Sequence, residues 1–400
     1  MFTLVPRRYY MKFGVLKDIK IGEFRVVCTP AEVSEIVRDG HEVYVTSNAG
    51  YQAGFDDEEY EKAGAVVLKT NEEIWATCDF VAKVKEIEES EYDLMREGQM
   101  IYCCIHPAAH REEVDALLEK KVIAITAEDS HRYGSPNCEA AGKAGAFMGL
   151  WAMMSTNGGC GKFANGLGAA PGVRALVCGA GTVGKAAIEV LHNMGCWVTV
   201  ADINIGLLRQ IGSMYEANIN TCKSNRYNLT REVAQADLVI NSVRWPKNAT
   251  EYMITRDMVK SMHRGAVIVD ISNDFGCIET FHPTTHDDPI YIEEGVVHYC
   301  VENIPGAIAG STSVSYAAGI LQHFRSIMNN GLEKAMVKDG FLRRSLTAYK
   351  GYLTHEETSG IQGRPWVRPE VILGIENEKL DPAPRTTVTT SDNFYPEFAK

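Results

Sequence analysis

The most specific chemical signal in the chain lies between residues 174 and 202. An apolar run through Ala175-Leu176-Val177-Cys178 leads into Gly179-x-Gly181-x-x-Gly184. A helix-like segment follows, and a second apolar run, Val198-Thr199-Val200-Ala201, ends in Asp202. In such a unit the first glycine permits a tight turn, the second lets the backbone approach a pyrophosphate, and the third lets helix pack closely on strand. A tight strand-to-helix turn with no ligand uses glycines for steric reasons alone. Here strand, glycines, helix, second strand and terminal acid all fall in order, which predicts a dinucleotide site. Gly179, Gly181, Thr182, Val183 and Gly184 would cradle the phosphates at a helix N-terminus. Asp202 would accept from the ribose hydroxyls and repel a 2′-phosphate, favouring NAD over NADP.

A nicotinamide needs a carbon held against it and a group to handle the accompanying proton. Ligands of α/β sheets collect at the carboxyl ends of strands, which directs attention to four side chains. Arg25, in Gly22-Glu23-Phe24-Arg25, follows the first strand-like run and could grip a carboxylate with two parallel hydrogen bonds. Context alone reads it as well as a surface-loop charge. Lys85 follows an apolar strand that also carries Lys83, and alternation does not say which lysine faces a ligand. His106 ends the most apolar strand of the N-terminal half and titrates near neutrality, although one histidine at a strand end also suits a structural hydrogen bond. Asp274 follows the run Ala266 to Asp270 and could hydrogen-bond a reacting amine, or either aspartate could cap the turn. His282 and His286 beside Asp287-Asp288 invite a metal, but Pro283 breaks the helical pairing a metal would need, so no metal is expected. No G-x-S-x-G elbow or Walker loop is present.

These groups must be carried by alternating strands and helices. In the N-terminal half the candidate strands are 12–16, 42–45, 65–68, 80–83, 100–104 and 122–125. Between them lie helices such as 30–38, opened by Thr29 and closed near Gly40. Strands separated by helices imply a parallel sheet covered on both faces. An Ala-, Gly- and Met-rich stretch at 139–154 suits a closely packed helix bridging two domains. The dinucleotide half continues with strands at 198–202, 238–241, 266–270, 290–292 and 296–301, and helices at 231–236 and 256–263. From Thr312 to Val337 the pattern is helical, with Ser311-Thr312-Ser313 as its cap, and short helices and loops follow. The expected fold is α/β with two domains: a Rossmann-type NAD-binding domain over 141–311, and a second α/β domain of flavodoxin-like or Rossmann-like character over 11–140 and 312–380. Residues 381–400 read as a tail.

The chain has 400 residues, 45% of them hydrophobic, which is ample for cores in two or three domains. A formal charge of −12 argues against nucleic acid, because phosphate binding needs a basic face. Eleven cysteines without a C-x-x-C pair fit neither a disulfide framework nor a zinc site. They suit reduced thiols in the cytoplasm. The first ten residues lack the apolar core of a signal peptide, and no later run is long enough to span a membrane.

Several blocks together resemble the alanine dehydrogenase family, which groups with N5-(carboxyethyl)ornithine synthase and the NAD-binding subunit of transhydrogenase. They are 22–30, 83–86, Asn157-Gly158-Gly159, the glycine loop with Asp202-Ile203-Asn204, 268–274, Glu279-Thr280-x-x-Pro283-Thr284-Thr285-His286, and Val297-His298-Tyr299-Cys300-Val301 leading into Asn303-x-Pro305-Gly306. The resemblance implies two α/β domains with the active site in the cleft between them. It places the carboxylate-binding arginine on Arg25, the substrate lysine on Lys85, the proton-transfer histidine on His106 and the catalytic aspartate on Asp274. It adds Ser242 and Asn303 to the cofactor-binding set. The implied reaction is reversible oxidative deamination of a small L-amino acid, alanine first, in a homo-oligomer (dimer or hexamer). The partners would be an amino acid or 2-oxo acid, with neither nucleic acid nor membrane. Two cations near His106 would depress its pKa and keep it available as a base.

The chain departs from the family at three places. Pro136-Asn137-Cys138-Glu139 stands where a Pro-Met-Ser-Glu context is usual, Ala309-Gly310 stands in place of Pro-Arg, and Asn241-Ser242-Val243-Arg244-Trp245-Pro246 is closer to the carboxyethylornithine branch. An opine-type reductase that joins a 2-oxo acid to an amino acid amine therefore stays open, as does a non-catalytic NAD-binding module.

Overall fold

The computed structural model describes residues 10–246, 249–273 and 276–386. Asp274, the first nine residues and the tail beyond Thr386 lie outside the described residues. The chain forms two compact units, unit 1 from residues up to 135 together with those from 309, and unit 2 from 136–308.

Unit 1 opens as a run of β-α pairs: β1 (Lys12–Val15), α1 (Pro30–Arg38), β2 (Glu42–Thr46), α2 (Asp57–Lys62), β3 (Val66–Leu68), α3 (Asn71–Thr77), β4 (Phe80–Ala82), β5 (Met100–Cys103), α4 (Arg111–Glu119) and β6 (Ile123–Thr126). Local chemistry sets the helix starts. Thr29 and Glu32 form a reciprocal capping box with Pro30 at the first turn of α1, and Asp56 with Glu59 and Thr70 with Glu73 do the same for α2 and α3.

Unit 2 contains α5 (Pro136–Ala152), β7 (Arg174–Cys178), α6 (Thr182–Asn193), β8 (Trp197–Asp202), α7 (Ile205–Met214), β9 (Ile219–Lys223), α8 (Arg226–Gln235), β10 (Leu238–Asn241), α9 (Arg256–Ser261), β11 (Val267–Asp270), β12 (Ile290–Glu293) and β13 (Val296–Tyr299). The Ala/Gly face of α5 packs closely: the missing side chains of Gly142, Gly145 and Gly149 face Val183, Ile271 and Leu238. The chain then returns to unit 1 as α10 (Ala309–Asn330), α11 (Leu332–Lys338), α12 (Gly340–Arg344), β14 (Leu346–Tyr349) and β15 (Tyr352–Leu353).

Both sheets share one wiring. Unit 1 has the order β15-β14-β6-β5-β4-β1-β2-β3, and unit 2 the order β12-β13-β11-β10-β7-β8-β9. Six consecutive strands of each, from β6 to β3 and from β13 to β9, run parallel in the Rossmann order, and an antiparallel pairing extends the other end, β14 on β6 and β12 on β13. Three strands were not expected. β9 is a partly exposed edge strand rich in polar residues, and β14 with β15 replaces part of the loops assigned to the C-terminal region. Helix α8 begins at Arg226 instead of Arg231, with Asn225 as its cap.

The core of unit 1 is clamped by α10. Phe324 lies 4.9 Å from Phe13, 5.5 Å from Phe80 and 5.0 Å from Tyr102 between ring centres, which ties the helix to β1, β4 and β5. Such aromatic pairs contribute about 0.5–1.5 kcal/mol each beyond the area they bury. Asp381, at the start of the proposed tail, is docked on unit 1: it accepts from Gly340 N at 2.8 Å and pairs with Arg132.

Candidate active site

In each sheet the chain leaves two central neighbours in opposite directions, and loops at the carboxyl ends of such a pair diverge to leave a crevice. In unit 1 the pair is β1 and β4; in unit 2 it is β7 and β10. Arg25 lies in the connection after β1, Lys85 just beyond β4 and His106 just beyond β5. Three of the four candidates therefore gather at the ends of adjacent strands.

Arg25 is 4% exposed, so it is not a surface charge. Glu23 grips it side-on: Nε donates to Oε1 at 2.7 Å, Nη2 donates to Oε2, and the Arg25 backbone N–H adds a third bond to Oε1 at 2.8 Å. Burial opposes the guanidinium charge, but Glu23 outweighs it and holds the arginine's pKa above its ordinary value. The next residue, Val26, donates its N–H to Ser313 Oγ at 3.0 Å. Ser313 thus lies inside α10 and anchors the arginine loop; helix α10 starts at Ala309, so the Ser311-Thr312-Ser313 cap is not formed.

The two lysines after β4 have different fates. Lys83 is sealed in, 2.6 Å from Glu91 Oε2 and 3.8 Å from Asp18. Lys85 keeps 14% of its side chain accessible, with Glu86 at 3.4 Å. Its backbone N–H donates to Asp18 Oδ2 at 2.8 Å, which joins the loops after β1 and β4. Burial would raise the Glu86 carboxyl, but Lys85 and a hydrogen bond from Lys20 hold it at about 2. Lys85 itself is raised: burial works against its charge, Glu86 restores it, and Arg25 is close enough to oppose it.

His106 has a φ of 48°, a left-handed backbone uncommon outside glycine and costly enough to mark functional positions. Glu128 stabilises it, accepting from His106 N at 2.7 Å and lying 3.4 Å from Nδ1. Packing around the ring lowers the imidazole pKa, although 48% of the side chain still meets water. Glu128 pulls the other way and Lys85 adds to the lowering. The expected direction holds, with desolvation ahead of charge as its cause.

In unit 2, Gly179 has φ 95°, and a Cβ on Gly184 would sit 1.9 Å from Gly179 O, so the first and third glycines are required. Gly181 is the N-cap of α6 and offers no side-chain cap, unlike Asn204 and Asn225 at α7 and α8. A Cβ built on it would meet nothing within 4 Å. The first turn of α6, from Thr182 and Val183 onward, thus carries no side-chain cap, which fits a pyrophosphate there. Asp202 ends β8 with both oxygens fixed, accepting from Ala180 N and Asn204 N, each at 2.6 Å. A carboxylate has further lone pairs for ribose hydroxyls.

Ser242 follows β10 and ties the turn: its Oγ donates to Cys178 O at 2.7 Å. Asn303 is buried beyond β13, and its backbone carbonyl is 2.8 Å from His286 Nε2. Asp270 caps the turn after β11, accepting from Asn241 Nδ2 at 2.9 Å and Ser272 N at 3.1 Å. His282 stacks on Tyr291 at 3.4 Å instead of joining His286, and the described residues contain no metal-holding cluster. Gly310 packs within unit 1 at the first turn of α10, where an added Cβ would be 3.1 Å from Ala53 O. A longer side chain there would have to displace that turn.

Sequence reasoning passed over Glu23, Asp18, Glu86 and Glu128. Glu23 was the findable one, since Glu-x-Arg puts both side chains on one face of an extended segment. Two cavities of about 510 and 490 Å³ lie away from these residues. The first is rich in arginine, but Arg343 already binds Glu370 and the carbonyls of Met336 and Asp381. The second sits at the amino ends of β7 and β8, opposite the glycine loop.

The model of the alanine dehydrogenase/PNT N-terminal domain matches residues 14–135, and that of the C-terminal domain matches 146–356. The chain belongs to the alanine dehydrogenase family. It is 35% identical to an alanine dehydrogenase of Methanococcus maripaludis over 374 residues, 91% of this chain and 100% of that protein. It is also 35% identical to alanine dehydrogenase 2 of Staphylococcus aureus over 354 residues, 86% of this chain and 95% of that one. A solved L-alanine dehydrogenase superposes with a TM-score of 0.82 at 32% identity, covering 88% and 99% of the two chains. A transhydrogenase from Sinorhizobium meliloti shares the fold, with a TM-score of 0.71 at 21% identity over 86% and 99%. The family is one of NAD-binding oxidoreductases acting on CH–NH₂ groups. No described helix is long and apolar enough to cross a membrane.

Proposed function

We propose that the chain is an NAD-dependent amino acid dehydrogenase, with alanine as the leading substrate. An amino acid, water and NAD⁺ become a 2-oxo acid, ammonium, NADH and a proton. The observation that carries this reading is the grouping of an oriented arginine, a partly open lysine and a histidine of lowered pKa at adjacent strand ends of unit 1. Unit 1 would handle the substrate and unit 2 the cofactor.

Arg25, aimed by Glu23, would bind the substrate carboxylate. Lys85 would stabilise the oxygen that becomes the keto group. NAD, when bound, supplies the hydride acceptor. His106, neutral near physiological pH, would take the proton from the attacking water and return it in the reverse direction. Asp274 would orient the amine. Gly179, Gly181, Thr182, Val183, Gly184 and Asp202 would hold the dinucleotide, with Ser242 and Asn303 beside it.

The test is NADH oxidation with ammonium and a panel of 2-oxo acids. Turnover with pyruvate supports the proposal, and no turnover with any 2-oxo acid sinks it. The segment Asn241-Ser242-Val243-Arg244-Trp245-Pro246 favours one second reading, an opine-type reductase. That enzyme would need an amino acid in place of ammonium and would yield a heavier secondary amine by mass. We also place the protein in the cytoplasm as a homo-oligomer. Eight of its eleven cysteines are buried, and Phe147, Phe163 and Leu167 expose apolar surface that self-association would cover. Sedimentation tests the assembly.

A further inference from the structure

His110 stands at the N-cap position of α4 but does not cap it. Its Nδ1 turns back to Ile105 O at 3.0 Å, on the residue immediately before His106, and lies 3.4 Å from Glu113 Oε2. Glu113 is 2% exposed, and its other oxygen accepts from Ile87 N at 2.8 Å, two residues beyond Lys85. One buried carboxylate thereby fastens the lysine loop to the first turn of α4. His110 closes the circuit onto the peptide that carries His106. The two histidine rings meet edge-on at 6.4 Å between centres.

We propose that His110 and Glu113 are positioning residues for the reaction, fixing the backbone and charge surroundings of His106 and the placement of the Lys85 loop. This rests on the reading of His106 and Lys85 as substrate-handling groups. It gives a purpose to a buried acid that fold stability alone would replace with an apolar residue.

The charges around the pair set its behaviour. His106 faces Glu128 from the turn after β6, Lys85 and Glu86 from the loop after β4, and His110 from α4. Glu113 faces His110 and Glu86, with Tyr92 and Cys103 also within its field. Burial lifts the Glu113 carboxyl to about 7, while the nearby carboxylate, 3.4 Å from Nδ1, lifts His110. The two are coupled and titrate as a unit. When His110 is charged it disfavours a second proton on His106, so His106 stays a base to lower pH.

The test is kcat/KM for amino acid oxidation against pH in the full chain, with melting curves recorded alongside. His110→Asn keeps a donor near Nδ1 and removes the charge. Its acid limb should move to higher pH, with the alkaline plateau within about three-fold of the parent. His110→Ala also loses the donor and should lower the plateau by roughly ten-fold. Glu113→Gln keeps an acceptor for Ile87 N and should move the limb in the same direction as His110→Asn. Combining it with His110→Asn should add little further shift. Limbs that stay in place, or move to lower pH, in both His110→Asn and Glu113→Gln overturn the proposal. His106→Ala separates the two levels: it should lose roughly 100-fold. Full activity in that variant overturns the underlying reading, whereas its loss with unmoved limbs in the other two overturns this inference alone.

Discussion

Glu128 holds His106 twice, accepting its backbone N–H at 2.7 Å and facing its ring Nδ1 at 3.4 Å from the same oxygen. One contact steadies a left-handed backbone; the other supplies the counter-charge that limits how far burial lowers the imidazole pKa. Glu128→Gln separates the two roles, because an amide oxygen still accepts from the backbone. With the charge gone, the His106 pKa falls, the neutral base survives to lower pH, and the acid limb of kcat/KM moves acidward. The His110 and Glu113 variants should move it the opposite way.

The lysines predict opposite phenotypes. Lys83→Met strands two buried carboxylates and should cost about 3–5 kcal/mol in a urea melt. Lys85→Met should leave the melt nearly unchanged and lower kcat/KM roughly 100-fold. A stable Lys83→Met with impaired turnover would reverse the assignment.

Arg25→Lys keeps a cation but not the planar fork that Glu23 orients. The expected outcome is a rise of about 10–100-fold in KM for the amino acid with little change in KM for NAD. An equal rise for both would place the arginine elsewhere in the reaction.

At the cofactor end, Asp202→Asn keeps the shape and removes the charge. The preference for NAD over NADP should narrow by about ten-fold, measured as the ratio of the two kcat/KM values. Gly184→Ala drives a methyl into Gly179 O and should cost about 1–3 kcal/mol while weakening NAD binding. Unaltered NAD titration in Gly184→Ala would argue against the loop as the phosphate site.

What could be read without coordinates follows the range of the forces involved. Helix α1 was legible because Thr29, Pro30 and Glu32 specify its start within four residues, and the glycine loop because its constraints are equally local. Edge strand β9 was hidden: Ile219-Asn220-Thr221-Cys222-Lys223 is partly exposed and shows no clear alternation. β14 owes its existence to pairing with β6, more than two hundred residues earlier. The choice between Lys83 and Lys85 was undetermined because residues two apart share one face of a strand, and β4 in any case ends at Ala82. Glu113 drew no notice because the contact that anchors it, the backbone N–H of Ile87, meets it only through the tertiary fold, and the local spacing from His110 reads equally well as a solvated helix start.

The clamp of Phe324 on Phe13, Phe80 and Tyr102 also bears on how the molecule is made. A ribosome extrudes β1 to β6 first, with the aromatic face of that sheet bare, and then the whole of unit 2 as one uninterrupted run. Unit 2 can close while unit 1 still waits for α10, so the earliest strands synthesised are the last to be covered. During that interval the nascent chain shows its stickiest surface, and the cell's folding helpers have most to protect there.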